Sequence, residues 1–504
     1  MLRVADIKHQ KTMLFLLGVL GAFCFAPVYG WPLFVFSLTV AFLAVDEAQN
    51  LKQAALKGYV FGFGFFCAGF YWIGNALLID VLTFGWLYPI ALSATGAFFG
   101  LFWIAPFIMW RYLDENRPWA KVLGFASVFV LCEYLRSFLL TGFPWNMLGS
   151  MFGFSLALLQ TASVFGAYGL SFLALVITGA VYVFIKKRKK STCFAVILIL
   201  ALMTGFGFWR LKNTEISDSK IKVRLVQPSI AQSLKWDRAA LEDNLNTYIQ
   251  MSRQDGLKDV NLVVWGETAT AFNPEESVYY RDLMKNAVPE NGYLATGLLR
   301  YDEKNGALYN SFSVIDNSGQ TVAFYDKNHL VPFGEYIPLR KYLPAWVRPV
   351  ANQVADFSKG EKFKILSVNG LPSFNALICY EVIFPDEIIN RQNKPAFIVL
   401  VSNDGWYGQS FGPYQHFEAA RMRAIEEGIT IVRSANNGIS AVIEPTGAIR
   451  GMIGLNVKGI KDVYLPKNLG VDTIYGRIGG KGVQCLMLLL FLMVLMQNKR
   501  KINQ

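Results

Sequence analysis

Three residues with nucleophilic or charged side chains follow short apolar runs in the second half of the chain: Glu267, Lys327 and Cys379. A thiol that attacks a carbonyl carbon needs a base to take its proton and a fixed positive charge to stabilise the developing oxyanion. Glu267 and Lys327 supply these two functions. Taken singly, each residue has a simpler explanation: a helix cap, a solvated loop charge and a buried, inert thiol.

Around these residues, short β-branched runs alternate with helical stretches. The pattern predicts strands at Val223–Gln227, Leu262–Trp265, Tyr293–Gly297, Ser311–Ile315, Ala376–Cys379, Phe397–Ser402, Thr430–Ser434 and Ser440–Ile443, with helices at Leu241–Arg253 and Pro413–Glu427. Such alternation is typical of stacked α/β layers around mixed sheets. We therefore expect the functional residues to gather at strand ends.

The composition indicates a membrane protein. Of the residues, 53% are hydrophobic and only 17% are charged, against about a quarter charged in soluble domains. Apolar runs predict eight spans: Met13–Ala26, Trp31–Val45, Tyr59–Ile79, Tyr88–Trp110, Val122–Leu140, Phe165–Ile185, Cys193–Trp209 and Val483–Met496. The first run continues into Pro27 without an A-x-A-like cleavage site, so we interpret it as a retained helix.

Positive charges predict the orientation of the spans. Lys and Arg occur before the first span and in alternate connections, at Lys52/Lys57, Arg111/Arg117/Lys121, Lys186–Lys190 and Lys499–Lys501. Positive residues favour the cytoplasmic side. Both ends of the chain are then cytoplasmic, and Leu211–Gly480 lies outside, in the periplasm of a bacterium with two membranes. Because the basic clusters adjoin apolar runs, the net charge of +12 does not imply a nucleic-acid partner, and we expect none.

Cysteine and histidine usage limits the other chemistry. Five cysteines lie in or beside predicted spans, which leaves Cys379 alone in the exported region without a disulfide partner there. His329 and His416 are 87 positions apart with no shared ligand spacing, so we predict no metal site. No glycine-rich phosphate loop has the required spacing, and we expect no cofactor.

Together, the three motifs resemble the carbon–nitrogen hydrolase (nitrilase) superfamily, in which Glu, Lys and Cys occur in this order after successive strands. The resemblance covers Ile221–Tyr464 and includes the segments Asn403–Trp406 and Arg433–Gly438. It implies an αββα sandwich with Cys379 as nucleophile. One departure is Gly266, where many relatives have Pro, and it affects the stiffness of the turn more than the chemistry.

The fused spans and the segment Cys132–Trp145 narrow the resemblance to the apolipoprotein N-acyltransferase family. Such enzymes move a fatty acyl group from a phospholipid, through a thioester, to the α-amino group of the diacylglyceryl-cysteine that begins an apolipoprotein. The resemblance implies Glu267 as general base and Lys327 as oxyanion stabiliser. Residues matching supporting positions of the family are Trp236, Glu335, Tyr380 and Glu381. A direct catalytic role and a loop-organising ion pair both remain open for Glu335 and Glu381.

The predicted architecture is an integral membrane α-helical bundle of eight spans with an inserted periplasmic α/β nitrilase-like domain. Its parts are residues 1–210 with seven transmembrane helices, the catalytic domain at 211–480, and a last transmembrane helix with a cytoplasmic tail at 481–504. We expect a monomer in the bacterial inner membrane.

Two segments favour a lipid substrate. Pro338–Val350 mixes aromatic residues with Arg340, Lys341 and Arg348, a composition typical of the membrane interface or of a lid packed on its own domain. Glu133 and Arg136 are three positions apart in a predicted span and face the same side. Ionisable residues within a span mark a functional or a packing contact.

Two other functions remain possible from the residues alone. A membrane-tethered amidase would hydrolyse a small periplasmic amide or nitrile with the same triad. It would have little need of Arg340–Val350 or of the helix that contains Glu133. A transporter or scaffold would only bind, but the chain has no obvious repeated span pattern. Acyl transfer accounts for more of the sequence than either.

Overall fold

The computed structural model describes residues 7–342, 344, 348, 349 and 356–502 of the chain. These residues separate into two compact units. One contains the described residues up to Thr214 together with those from Thr473 onward, and the other is Glu215–Asp472. The predicted domain limits of 210/211 and 480/481 stay a prediction.

The first unit is helical, and the second combines helices with two sheets. In chain order the helices are α1 (Ile7–Gly21), α2 (Trp31–Asp46), α3 (Leu51–Gly69), α4 (Val81–Phe84), α5 (Tyr88–Gly100), α6 (Ile104–Tyr112), α7 (Pro118–Arg136), α8 (Leu156–Leu159), α9 (Ala162–Lys187), α10 (Lys190–Asn213), α11 (Leu241–Ser252), α12 (Val278–Lys285), α13 (Gly412–Glu427) and α14 (Ile474–Ile502).

Several helices of the first unit have the length and hydropathy of membrane spans. Five described stretches qualify: Val81–Tyr112, Pro118–Arg136, Ala162–Lys187, Lys190–Asn213 and Ile474–Asn498. A sixth is added if α3 and the following stretch Tyr71–Leu78, bent by 45°, form one span. α2 is apolar but has only 16 residues. The chain therefore has the helices of a membrane protein, and the number of eight spans stays a prediction.

A buried carboxylate joins four helices of the first unit. Asp46, at the end of α2, accepts hydrogen bonds from Lys121 Nζ at 2.7 Å, Lys186 Nζ at 3.0 Å, Trp110 Nε1 at 3.1 Å and the Tyr182 hydroxyl. Burying charge is favourable only when it is paired and hydrogen-bonded. Asp46 meets that condition and connects α2 to α6, α7 and α9.

The two ionisable residues of α7 organise the chain that follows the helix. Glu133 Oε1 accepts a hydrogen bond from Leu148 N at 2.7 Å, and Arg136 donates to the carbonyls of Phe143 (3.1 Å) and Trp145 (2.6 Å). The two side chains lie 4.0 Å apart. These contacts with main-chain groups of residues 143–148 favour the packing explanation of this pair.

The second unit contains twelve strands in two six-stranded sheets. They are β1 (Asp218–Gln227), β2 (Leu262–Val264), β3 (Tyr293–Asp302), β4 (Ala307–Ile315), β5 (Thr321–Asp326), β6 (Ile365–Leu366), β7 (Phe374–Ile378), β8 (Phe397–Ser402), β9 (Ile431–Ala435), β10 (Ser440–Ile443), β11 (Ile449–Ile453) and β12 (Gly459–Pro466). The strand orders are β12-β1-β2-β3-β4-β5 and β11-β10-β9-β8-β7-β6.

The two sheets pack face to face. Their inner faces share one core, in which Leu225, Val264 and Phe312 of the first sheet meet Phe374 and Val399 of the second. A second core lies between the other face of the first sheet and α11 and α12. α13 contacts the turn that follows β7. The unit is therefore an α/β sandwich of the expected nitrilase-like type.

Strand prediction succeeded in the interior of the sheets and failed at their edges. Each predicted strand overlaps one of β1–β4 or β7–β10, whereas β5, β6, β11 and β12 were not predicted. These four are the outermost strands of the two sheets. An edge strand is partly exposed and carries polar residues among its apolar ones, so it lacks the continuous apolar run on which the prediction rested.

Candidate active site

The chain brings the three predicted triad residues to strand ends of the two sheets. Glu267 follows β2, Lys327 follows β5 directly and Cys379 follows β7 directly. β2 runs parallel to β3, and β3, β4 and β5 are successively antiparallel, so β2 and β5 point the same way. Their carboxyl ends therefore lie at one edge of the first sheet.

The carboxylate of Glu267 is buried and held at both oxygens. Asn310 Nδ2 donates to Oε1 at 2.8 Å, and the main-chain N–H of Asn403 donates to Oε2 at 2.9 Å. Gly297 on the neighbouring strand β3 allows the main chain of Glu267 to lie close to that strand. A Cβ at Gly297 would lie 2.7 Å from Glu267 Cα. The side chain is thus oriented before any substrate arrives.

Lys327 is the positive centre of the site. Its Nζ lies 2.9 Å from Glu335 Oε1 and 3.5 Å from Glu267 Oε1. Burial alone would lower the pKa of Lys327, but Glu335 and Glu267 outweigh it and raise that pKa above its ordinary value. The ammonium is therefore a permanent charge, as an oxyanion stabiliser must be.

Glu335 lies where the loop after Lys327 returns to the site. One oxygen accepts from Lys327 and from Asn310 Nδ2 at 2.9 Å, and the other accepts from Val331 N at 2.8 Å. Asn310 therefore bridges Glu335 and Glu267. The carboxylate restrains the lysine and the Val331–Glu335 turn together.

Cys379 has a strained main-chain conformation. Its φ is +50°, a region that residues other than glycine rarely occupy and that costs about 1–3 kcal/mol. His416 Nε2 donates to the Cys379 carbonyl at 3.0 Å, and the Tyr407 hydroxyl lies 3.8 Å from Sγ. Burial, followed by the charge of Glu267, raises the pKa of the Cys379 thiol to about 12. The sulfur therefore needs a base to become nucleophilic.

A buried network of polar side chains supports the main chain of Cys379 through His416. Asp404 Oδ1 lies 2.9 Å from His416 Nδ1 and accepts from Ser402 Oγ at 2.8 Å, while Asp404 Oδ2 accepts from Arg433 at 2.7 Å. Burial opposes ionisation of Asp404, but Arg433 and His416 outweigh it and keep the Asp404 pKa well below its usual range. Burial and the Arg433 charge lower the pKa of His416.

Glu381 connects the turn that begins at Cys379 to the loop that follows Lys327. It accepts hydrogen bonds from Ile378 N (2.8 Å), the Tyr325 hydroxyl (2.7 Å), Asn328 N (2.8 Å) and His329 N (3.1 Å). Burial raises the pKa of Glu381. Among the described residues it forms no ion pair within 4.0 Å, so its contacts are those of a clamp between β5 and β7.

The other predicted supporting residues differ in exposure. Tyr380 is buried, with its ring 5.1 Å from that of Phe384, whereas Trp236 is 38% exposed. Within the predicted interfacial segment Pro338–Val350, Arg340 pairs with Asp356 at 2.6 Å, and Leu339 and Tyr342 are exposed. Residues 343, 345–347 and 350 of that segment lie outside the described residues.

Sequence reasoning missed several residues that the fold brings to the site. Asn310 and Lys235 were not singled out, and Asn403 and His416 were given no role there. A polar residue near the middle of an apolar strand is a usable signal for Asn310. The sequence gives no such signal for Lys235, because a lysine in a polar loop is ordinarily exposed.

One group of side chains within the described residues has metal-ligand geometry: Cys379, Asp404 and His416 lie within 4.8 Å of one another through their donor atoms. Both ring nitrogens of His416 and both oxygens of Asp404 already have protein partners. The arrangement is that of a hydrogen-bond network, and it supports the main chain of Cys379.

The sequence matches two family models. Residues 222–469 match the carbon–nitrogen hydrolase family, and residues 17–180 match the apolipoprotein N-acyltransferase N-terminal domain. The second unit is thus a carbon–nitrogen hydrolase domain, with the three residues of the triad at its strand ends.

Proteins that are similar to this chain over nearly its whole length identify its family within the carbon–nitrogen hydrolases. An apolipoprotein N-acyltransferase of Rhodopseudomonas palustris is 36% identical over 97% of this chain and 95% of its own length, and one of Rickettsia prowazekii is 36% identical over 93% and 94%. The chain belongs to the apolipoprotein N-acyltransferase family. Among solved structures, an amidase from Nesterenkonia sp. is 19% identical over 50% of this chain and 92% of its own, with a TM-score of 0.37.

Proposed function

We propose that this protein transfers a fatty acyl group from a phospholipid to the α-amino group of the N-terminal S-diacylglyceryl-cysteine of apolipoproteins. The observation that carries the proposal is the buried Lys327, ion-paired with Glu267 and Glu335 in the unit that presents the strained Cys379. The apolar helices and the family relationship support a lipid substrate in a membrane.

In the first half-reaction Glu267 takes the proton of the Cys379 thiol, and Sγ attacks the ester carbonyl of the phospholipid. Lys327 stabilises the negative charge that develops on the carbonyl oxygen. The bond to the glycerol oxygen breaks, and the leaving alkoxide receives the proton from Glu267. The products are a lysophospholipid and a thioester on Cys379.

In the second half-reaction the neutral α-amino group of the apolipoprotein attacks the thioester carbonyl. Glu267 accepts a proton from the nitrogen, the carbon–sulfur bond breaks, and the thiolate of Cys379 recovers a proton. Donor and acceptor use one site in turn, so the kinetics are ping-pong.

Supporting residues hold this geometry. Glu335 fixes Lys327 through its 2.9 Å contact, and Glu381 clamps the turn at Cys379 to the loop after β5. Tyr380 belongs to that turn and packs against Phe384, while the exposed Trp236 contacts lipid. We assign Glu335 and Glu381 to positioning, because each accepts main-chain N–H groups as well as side chains.

The proposed setting is the bacterial inner membrane, with a monomer of eight spans. Residues 1–210 and 481–504 form the membrane part, and residues 211–480 form a periplasmic catalytic domain. The alternation of basic connections supports this orientation, with the residues before the first span and after the last in the cytoplasm. Pro338–Val350 serves as an interfacial segment that meets phospholipid headgroups.

Transfer between defined substrates tests the proposal. Purified protein in detergent micelles is mixed with a phospholipid and a synthetic peptide that begins with S-diacylglyceryl-cysteine, and the peptide is analysed by mass spectrometry. We expect one added acyl chain and an equal amount of lysophospholipid, with neither in Cys379→Ala. Release of free fatty acid without peptide acylation would identify a hydrolase instead.

A further inference from the structure

The loop between β1 and α11 contains a lysine that is buried, although the apolar residues on either side of it are exposed. Lys235 is 6% exposed, whereas the apolar residues beside it, Leu234 and Trp236, are 48% and 38% exposed. The opposite arrangement is normally more stable, with the charged side chain exposed to water and the apolar side chains buried. A lysine buried between two exposed apolar residues therefore has partners inside the domain.

Its partner belongs to the proposed general base. Lys235 Nζ donates a hydrogen bond to the main-chain carbonyl of Glu267 at 2.8 Å. Burial lowers the pKa of Lys235 to about 8, and the charges of Glu267 and Cys379 oppose that shift. The ammonium therefore lies against the main chain of Glu267.

The two lysines of the site differ in how their charge is held. Lys327 has carboxylates at 2.9 and 3.5 Å. In the part of the chain that the structure describes, Lys235 has no carboxylate within 4.0 Å and is held by a carbonyl alone. Lys327 is fixed as a cation, whereas burial brings the pKa of Lys235 down to about 8.

The same loop contacts Glu267 by a second route. Gln232 Oε1 accepts a hydrogen bond from Asn403 Nδ2 at 2.9 Å, and Asn403 N donates to Glu267 Oε2 at 2.9 Å. Asn403 and Asn310 fix the carboxylate, and Lys235 fixes the carbonyl of the same residue. The loop therefore holds both the side chain and the main chain of Glu267.

We propose that Lys235 is a positioning residue of the acyl-transfer site, whose ammonium holds the main chain of Glu267 and places a second positive charge beside that residue. The inference rests on the proposed function, in which Glu267 moves protons in both half-reactions. Loss of Lys235 consequently slows both formation and consumption of the thioester. A contact with the phosphate of the donor would slow only formation.

The test uses full-length protein in detergent with the variants Lys235→Met and Lys235→Arg. The matched control is Lys258→Met, which removes an exposed lysine from the same unit. Intact-mass measurements follow acyl-enzyme formation from phospholipid, and then its decay when diacylglyceryl peptide is added. We expect Lys235→Met to lower both rates by about tenfold, as for loss of a charged hydrogen bond, and the control to leave them unchanged.

A pH profile separates positioning from mere stability. Acyl-enzyme formation, which involves no acceptor amine, is measured from pH 6 to 10 by the same assay. The wild-type rate should fall as Lys235 loses its proton near pH 8. Lys235→Arg keeps its charge and should lack that fall, while Lys235→Met should be slow without an inflection there.

Distinct outcomes overturn this inference and the proposed function. If wild-type protein forms no acyl-enzyme, the proposed function fails. If it does and the Lys235 variants match it, or only the formation step slows, the positioning role is wrong. An equal loss in both variants with a lower unfolding temperature and no difference between their pH profiles would reduce Lys235 to a structural residue.

Discussion

A single methyl group at Gly297 should disable the proposed base without touching any side chain of the triad. In Gly297→Ala, the new Cβ would lie 2.4 Å from Thr268 N and 2.7 Å from Glu267 Cα. Ordinary van der Waals contact begins at 3.4 Å, so the closest approach is about 1 Å too short. Both neighbours are main-chain atoms, and no rotamer change can relieve the clash.

The structure gives the size of the effect. Inserting a methyl group into a packed interior costs about 1–3 kcal/mol of stability. The main chain of Glu267 must move by roughly the missing 1 Å, and a misplacement of that size costs about a hundredfold in rate. We therefore expect a modest fall in unfolding temperature with a much larger fall in acyl transfer.

The assay pairs thermal unfolding with the rate of peptide acylation at a temperature where the variant is folded. Gly470→Ala is the matched control, because a Cβ at Gly470 has nothing within 4 Å. It should resemble the wild type in both measurements. Wild-type acylation by Gly297→Ala would refute the claim that the close packing of β3 against Glu267 positions the base.

Three further substitutions address buried charges. Glu335→Gln removes a carboxylate 2.9 Å from Lys327 and should lower peptide acylation about ten- to a hundredfold, as expected for loss of a charged hydrogen bond. Asp404→Asn breaks the buried pair with Arg433 and should cost about 3–5 kcal/mol in chemical unfolding. Because the Asp404 pKa is depressed in the folded state, its contribution is present above pH about 4 and is lost as the pH falls further, so the wild-type advantage should shrink in acid. Asp46→Asn should lower the unfolding temperature in detergent without changing the rate per folded molecule.

Exposed carboxylates provide the controls for these variants. Glu361→Gln, Asp259→Asn and Glu115→Gln each remove a charge from an exposed position, and we expect effects within about 0.5 kcal/mol. Unchanged acylation in Glu335→Gln, an acid-independent difference for Asp404→Asn, or unchanged unfolding in Asp46→Asn would each contradict the corresponding role.

The interior strands, and the positions of Glu267 and Cys379 just after two of them, could be predicted from the sequence. Buried strands such as β8 are continuous apolar runs, and the residues with reactive side chains that follow such runs directly lie at the ends of strands. The edge strands could not be predicted in this way. β5, for example, is only partly buried along most of its length, although it ends at Lys327.

Contacts between segments that are distant in the sequence could not be predicted, for a different reason. Lys235 and Glu267 are 32 positions apart, and Asn403 and Glu267 are 136 apart. Such pairs arise from the packing of two sheets and leave no periodic pattern in either segment. His416 shows the same limit: its position on α13 is predictable, but its hydrogen bond to the Cys379 carbonyl, 37 positions away, depends on the packed fold.

The measurement that tests the central claim most directly is the intact mass of the protein after incubation with phospholipid and no acceptor. We predict one added fatty-acyl mass on Cys379, absent from Cys379→Ala and removed when diacylglyceryl peptide is supplied. Peptide acylation at the wild-type rate by Cys379→Ala, or an acyl group on another residue that is passed to the peptide, would contradict a thioester at Cys379.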